Sequence, residues 1–254
     1  MERIRPRSTI GINSTALRNW GVLFLLCGIV GKCILQDRVA GLNQQDLLAV
    51  LEGPSWILFC AIIGILLQAV ETCAIPIFTF LLVQGVQRTS NLKKYILRIL
   101  GLAILSEIPY NLAYGGRFLD ISARNPMFAM ALSLLLLYFY GLYPEKTAKN
   151  RIMKGLLTVA ALIWAFMLGI QHGVSIVAIS SVLWGCRDKK KARNVVGATV
   201  AMACSVVSLY MAASPMGFLA VHFCNDEPAE YNRRAYYLAY PVFLLVVGIV
   251  GLFL

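Results

Sequence analysis

Apolar residues in this chain come in long unbroken blocks, without the three-and-four spacing of an amphipathic helix or the alternation of a half-buried strand. By block length and flanking charge, spans fall at residues 16–35, 56–86, 95–114, 126–143, 152–169, 173–186, 194–213 and 236–254. About 20 apolar residues carry a helix across a hydrocarbon core of about 30 Å. The pattern therefore predicts an all-α, polytopic transmembrane helical bundle of about eight helices. The second block is too long for one perpendicular helix and contains Pro76, which predicts a tilt, a kink or a break. The sixth is short. Residues 215–224 are apolar as well, and fit an extension of the seventh span, a ninth span or a re-entrant piece. The loop "QDRVAGLNQQDLLAVLEGPSW" has a helix-like core, with Asn43 as a cap, Leu47, Leu48 and Leu51 on one side and Gly53-Pro54 as a stop; it predicts an interfacial helix.

Composition agrees: 59% of the 254 residues are hydrophobic, 14% are charged, and the mean hydropathy is +0.73. Nothing resembles a soluble domain, a low-complexity linker or a repeat, so residues 1–254 read as a single integral membrane domain. The net charge of +11 would suggest nucleic acid if it lay on one surface, but it follows the loops. Arg3, Arg5, Arg7 and Arg18 precede or open the first span. The turns at 88–98, 146–154 and 187–193 carry most of the remaining bases, and the opposite loops hold only Arg38, Arg117, Arg124, Arg233 and Arg234 among their acids. This is the positive-inside pattern with the N-terminus cytoplasmic, and no nucleic-acid partner is expected. The lipid bilayer is the expected partner. No cleavable signal is evident. The seven cysteines form no CxxC pair and read as small hydrophobes, and no metal-ligand spacing occurs.

Ionisable groups inside spans cost roughly 2.5 to 3.5 kcal/mol on insertion scales, so each is a candidate site. Lys32 sits near a span end, where it can snorkel. Glu71, in "AVETCAIP", fits a wet interface or a pair with Lys32. Glu107 lies in "LSEIPYNL", where Pro109 deprives the Leu105 carbonyl of its usual partner. A kinked turn carrying Glu107, Tyr110, Asn111 and Tyr114 reads either as the wall of a polar cavity or as a hydrogen-bonded helix-packing point. His172, in "LGIQHGVSI", falls in a short outer turn as an interfacial residue or a general base, and His222 lies at a similar boundary.

The run "AIPIFTFLLVQGVQRTSNLKKYILRILGLAILSEIPYNLAYGG", followed by "NPMF", resembles the TraX family of conjugal-transfer membrane proteins, small bacterial relatives of the transmembrane acyltransferases. Fainter similarity continues through "HGVSIVAISSVLW" and "YYLAYPVFLL". The resemblance implies a multi-pass protein of the inner (plasma) membrane that transfers acetyl from acetyl-CoA to an amine or hydroxyl acceptor, such as a pilin-like protein. It points to Glu107, Asn111, Glu71 and His172 as catalytic candidates, and to the basic turn of Arg88, Lys93, Lys94 and Arg98 as the cofactor-binding candidates. The family's first-span Asp-His pair is replaced here by Gly28 and Ile29. Thr72, Gln84 and Phe243 stand where an arginine, a glutamate and a histidine are usual. These replacements leave open a catalytically degenerate scaffold or conjugation accessory protein. A small transporter using Lys32, Glu71 and Glu107 is a third reading.

Overall fold

The computed structural model describes residues 11–42, 53–120, 123–145, 147–225 and 233–253. The expected interfacial helix over 43–52, and residues 226–232 of the loop before the last expected span, lie outside them. Among the described residues the chain is all-α, with no strand.

Helix α1 (Ser14–Val30) is capped by Asn13, whose side chain accepts from the Ala16 amide at 2.7 Å, and runs on into a π-helical stretch, Gly31–Val39. Helices α2 (Ser55–Thr72) and α3 (Ala74–Arg88) form one long antiparallel return, interrupted at Cys73. Pro76 has no amide hydrogen to give the Thr72 carbonyl, and the helix breaks just there. The first two segments approach closely because glycines face each other: a Cβ on Gly31 would stand 2.9 Å from the Gly64 carbonyl, and one on Gly64 2.8 Å from the Gly31 carbonyl. Small residues allow this backbone contact between apolar helices, where van der Waals packing drives association.

Helix α4 (Leu92–Gly115) returns the chain, and α5 (Met127–Gly141), α6 (Ala148–Met167) and α7 (Gly173–Gly185) alternate after it. Four stretches are long and apolar enough to cross a membrane: the α2–α3 run, α4, α6 and the final helix, α10 (Arg233–Phe253). At 15 and 13 residues, α5 and α7 are shorter. Their connecting segments dip into the bundle, where the Arg124 amide donates to the Gly169 carbonyl and the Gln171 amide to that of Arg124. Exposed Trp56, Phe59, Leu66, Ile104, Ile163 and Phe166 belong to an apolar belt that needs lipid. The chain is a membrane protein.

The seventh expected span, 194–213, is not one helix. Helix α8 (Lys190–Ala203) ends early, and two 3-10 stretches (Cys204–Val206 and Leu209–Met216) and the short α9 (Gly217–His222) lead the chain back. Both ends of this segment meet: the Lys190 ammonium donates to the Cys224 carbonyl at 2.9 Å, and Ile12, just before α1, bridges to Cys224. Residues 190–224 are thus a hairpin that enters and leaves at one end of the bundle, which makes 215–224 the returning part of a re-entrant piece. Hydropathy alone cannot separate a returning hairpin from a crossing of equal apolar length.

The hairpin seals the break in the second crossing. Thr72 Oγ1 donates to the Tyr210 carbonyl at 3.0 Å and Cys73 Sγ to that of Ala213 at 3.2 Å, while Gly217 lies directly on the Cys73 carbonyl and the Pro76 ring. Any side chain at 217 overlaps that carbonyl. We expect Gly217→Val to lower stability by about 1–3 kcal/mol or more, read as thermal unfolding in detergent. Gly185→Ala, where an added Cβ meets nothing within 4 Å, serves as the neutral control.

Candidate functional site

Helices α1, α3, α4 and α10 enclose a cleft of about 960 Å³, a volume at the upper end of ordinary ligand sites. Its mouth lies at the end shared by Ser14, the α3–α4 turn and the start of α10. There Arg18, Arg88, Lys94 and Arg98 contribute four cationic side chains. The walls below are apolar, with Leu25, Leu26, Phe78, Leu102 and Phe243, and the far end is formed by Met127, Met130 and Tyr240. The arrangement suits a long ligand with an anionic head and a slender, less polar tail.

Helical phase sorts the basic turn. Asn91 caps α4 by accepting from the Lys94 amide at 3.0 Å. One face of the helix then presents Lys94, Arg98 and Leu102 to the cleft, four residues apart. Lys93, about 100° around the helix, lies instead over the Tyr138 ring at 6.0 Å. Three of the four expected cofactor-binding residues therefore line the cleft, and Lys93 does not.

Tyr240 is fixed by a buried junction centred on Asn125, which is fully shielded from solvent. The Asn125 amide group donates to Ser106 Oγ at 2.7 Å, and its oxygen accepts from the Tyr240 hydroxyl at 3.1 Å and from the Met127 amide at 2.9 Å. Its backbone amide donates to Glu107 Oε2 at 3.3 Å. Glu107 is thus a half-buried packing group behind the cleft floor and not a cleft-lining acid. Helix α4 continues through Pro109, and Ser106 Oγ donates to the Leu102 carbonyl. One turn on, Tyr110 stacks on Tyr114 with centroids 4.5 Å apart and donates to Gln171 Oε1 at 3.0 Å.

Glu71 and Asn111 are almost wholly buried outside the cleft wall, and Glu71 Oε2 and Asn111 Oδ1 make no hydrogen bond among the described residues. The expected alternative of a Glu71 pair with Lys32 is not formed, since Lys32 binds Asp37 at 2.6 Å. Glu71 instead fills the space beside Gly28: a Cβ there would overlap its side chain.

His172 stands apart from all of this, at the end opposite the cleft mouth. It adopts a left-handed conformation, φ 54°, before α7, and its Nε2 has no hydrogen bond among the described residues. Burial lowers its pKa to about 4, so the ring is neutral near pH 7. His222 is held by Asn194 at 3.0 Å. No imidazole and no carboxylate is among the described residues lining the cleft.

Sequence reasoning missed Arg18, Asn125 and Tyr240 as site residues. The visible signals were the stretches "NPMF" and "YYLAYP", quoted for resemblance and given no role. We expect Asn125→Ala, which removes the partner of two buried hydroxyls, to cost more than Tyr240→Phe: about 2–4 kcal/mol against about 1, measured by thermal unfolding in detergent.

A family model described as TraX protein matches residues 48–251. No curated protein and no solved structure matches the chain.

Proposed function

The chain belongs to the TraX family, and from that premise we propose that it is a multi-pass acetyltransferase of the inner (plasma) membrane, moving acetyl from acetyl-CoA to an amine or hydroxyl acceptor. A pilin-like protein with a free amine is the acceptor class the family suggests. The observation that carries the reading is the cleft, with four cationic side chains at its mouth, an apolar shaft and the Tyr240 hydroxyl at its end. The charged part of CoA meets Arg18, Arg88, Lys94 and Arg98. The pantetheine arm runs down the shaft and brings the thioester to Tyr240.

Tyr240 lines the cleft there, and its hydroxyl must leave Asn125 Oδ1 to donate to the developing oxyanion. The acceptor nitrogen must lose a proton as it attacks the thioester carbon, and the departing CoA thiolate must gain one. No described residue lining the cleft supplies a base, so we assign the exchange to Glu71, which requires the acceptor amine to enter from the Glu71 side and not through the cleft mouth. Its carboxyl comes from α2 into the space that a first-span side chain at position 28 would fill, and Gly28 makes that possible. A carboxylate from the neighbouring helix thus stands in for the family's first-span acid. Keeping an oxygen buried without a partner in a lipid-embedded helix is costly, which suits a working group better than a packing group.

The basic end is the cytoplasmic one in this reading. Arg233 and Arg234 open α10 at that end, leaving Arg38, Arg117 and Arg124 at the other, a sharper asymmetry than eight crossings allow. The re-entrant hairpin makes the crossings odd in number. Tags on the two termini are therefore expected on opposite faces of the membrane; tags on the same face would contradict the topology.

A second reading, CoA binding without turnover, is favoured by the lack of acid or imidazole among the described cleft-lining residues. Purified protein incubated with labelled acetyl-CoA and peptide amines separates the two. The acetyltransferase reading expects transfer, with Glu71→Gln lowering kcat by about 100-fold or more and Lys94→Gln acting mainly on KM. Saturable binding with no transfer to any acceptor selects the second reading, and no binding at millimolar CoA removes both.

A further inference from the structure

A smaller pocket of about 250 Å³ adjoins the mouth of the cleft. It is lined by Phe80, Val83, Gln84, Gln87 and Arg88 of α3, by Arg187 of the α7–α8 turn and by Arg193 of α8. Gln84 and Arg88 also line the large cleft, so the two spaces share a wall. None of the described residues lining the pocket is acidic. Asp188, the nearest carboxylate on the same turn, is exposed and reaches Arg187 only at 4.0 Å.

The arginines are held in place. Arg193 is 8% exposed, with its guanidinium over the Phe80 ring at 4.6 Å and its Nε toward Asn194 Oδ1 at 3.5 Å. Arg187 lies over the Trp184 ring at 4.4 Å and donates to the Trp184 carbonyl at 3.0 Å. A guanidinium already stacked on a ring loses little freedom on meeting a ligand. Three arginines and two glutamines face this one pocket, a lining that suits an anion. Planar N–H forks and glutamine amides match tetrahedral phosphate oxygens better than a carboxylate, which offers only two.

We infer that this annex is a phosphomonoester site, and that in the CoA reading of the cleft, on which this assignment rests, it receives the 3′-phosphate of CoA. The diphosphate then stays at Arg18, Lys94 and Arg98, with Arg88 between the two. The re-entrant hairpin gains a part in ligand selection, since it supplies Arg193 and its leading turn supplies Arg187. A phosphomonoester lipid headgroup offers the same chemistry at this end of the bundle, and the test separates the two sources.

Binding is measured on the full-length protein in phosphatidylcholine nanodiscs with CoA, 3′-dephospho-CoA and adenosine 3′,5′-bisphosphate. Wild-type protein should prefer CoA over its dephosphorylated form by about tenfold or more. Arg187→Gln should bring that ratio close to one by weakening CoA alone, and Arg193→Lys should reduce it partly. Lys94→Gln should weaken both ligands and preserve the ratio. Equal affinities in the wild type, or a ratio unchanged in Arg187→Gln, would overturn the assignment. Arg187-dependent binding of adenosine 3′,5′-bisphosphate without CoA binding would keep the phosphate site and remove the reading of the cleft. Phosphatidic acid in the nanodiscs that displaces CoA from wild type but not from Arg187→Gln would give the annex to lipid and overturn the nucleotide assignment.

Discussion

A polar group inside a lipid-embedded bundle has no water to turn to, and this constraint governs how the chain is put together. Pro76 interrupts the second crossing, and an irregular segment of the same chain packs against the interruption, where its own carbonyls find donors. The hairpin over residues 190–224 enters far enough to offer the Tyr210 and Ala213 carbonyls to Thr72 and Cys73, then turns back at Gly217. Irregular backbone is stable there because protein covers it. The same rule accounts for Asn125, whose connecting segment sinks until its side chain can bind Ser106 and Tyr240 at once.

These two devices produce the candidate site. The Asn125 junction ties α4 to α10 well below the basic end and sets the floor of the space between them. Above that floor the helices leave room, and one face of α4 turns Lys94, Arg98 and Leu102 into it. The hairpin that closes the broken crossing also carries arginines to the rim of the same space. Ser106, Glu107 and Pro109 are then best understood together: the first two hold Asn125, and α4 passes through the proline with Ser106 bonded back to Leu102. Glu107 fixes where the floor lies, and Glu71 is a buried acid whose Oε2 makes no hydrogen bond among the described residues.

The all-helical membrane class, and the ends of α4 to within a few residues, were readable in the sequence, because apolar block length and flanking charge report directly on solvent. The break near Pro76 was readable for the same kind of local reason, a missing amide. What depended on partners distant in sequence was not. The block 194–213 has a crossing's length and hydropathy; "SVVSLYMAASPMG", with its serines, proline and glycine, hinted at interruption but not at return. Glu71 could not be linked to Gly28 without knowing that α1 and α2 touch through glycines. Lys93 and Lys94 look equivalent in sequence, and only the phase of α4, set by the Asn91 cap, separates them. Tyr240 gave no sign of its own, since a tyrosine in an apolar span is ordinary until its hydroxyl is seen to meet an asparagine from another loop.

A ligand-sized space runs from the basic end toward Tyr240, and single cysteines along α4 probe it. In a background freed of native cysteines, Leu102→Cys faces the shaft and Ile104→Cys faces lipid. A water-soluble maleimide added at the basic face should label Leu102→Cys, and CoA should slow that labelling while Ile104→Cys stays unreactive. Equal reactivity at both positions, or labelling of Leu102→Cys that CoA leaves unchanged, would contradict the account.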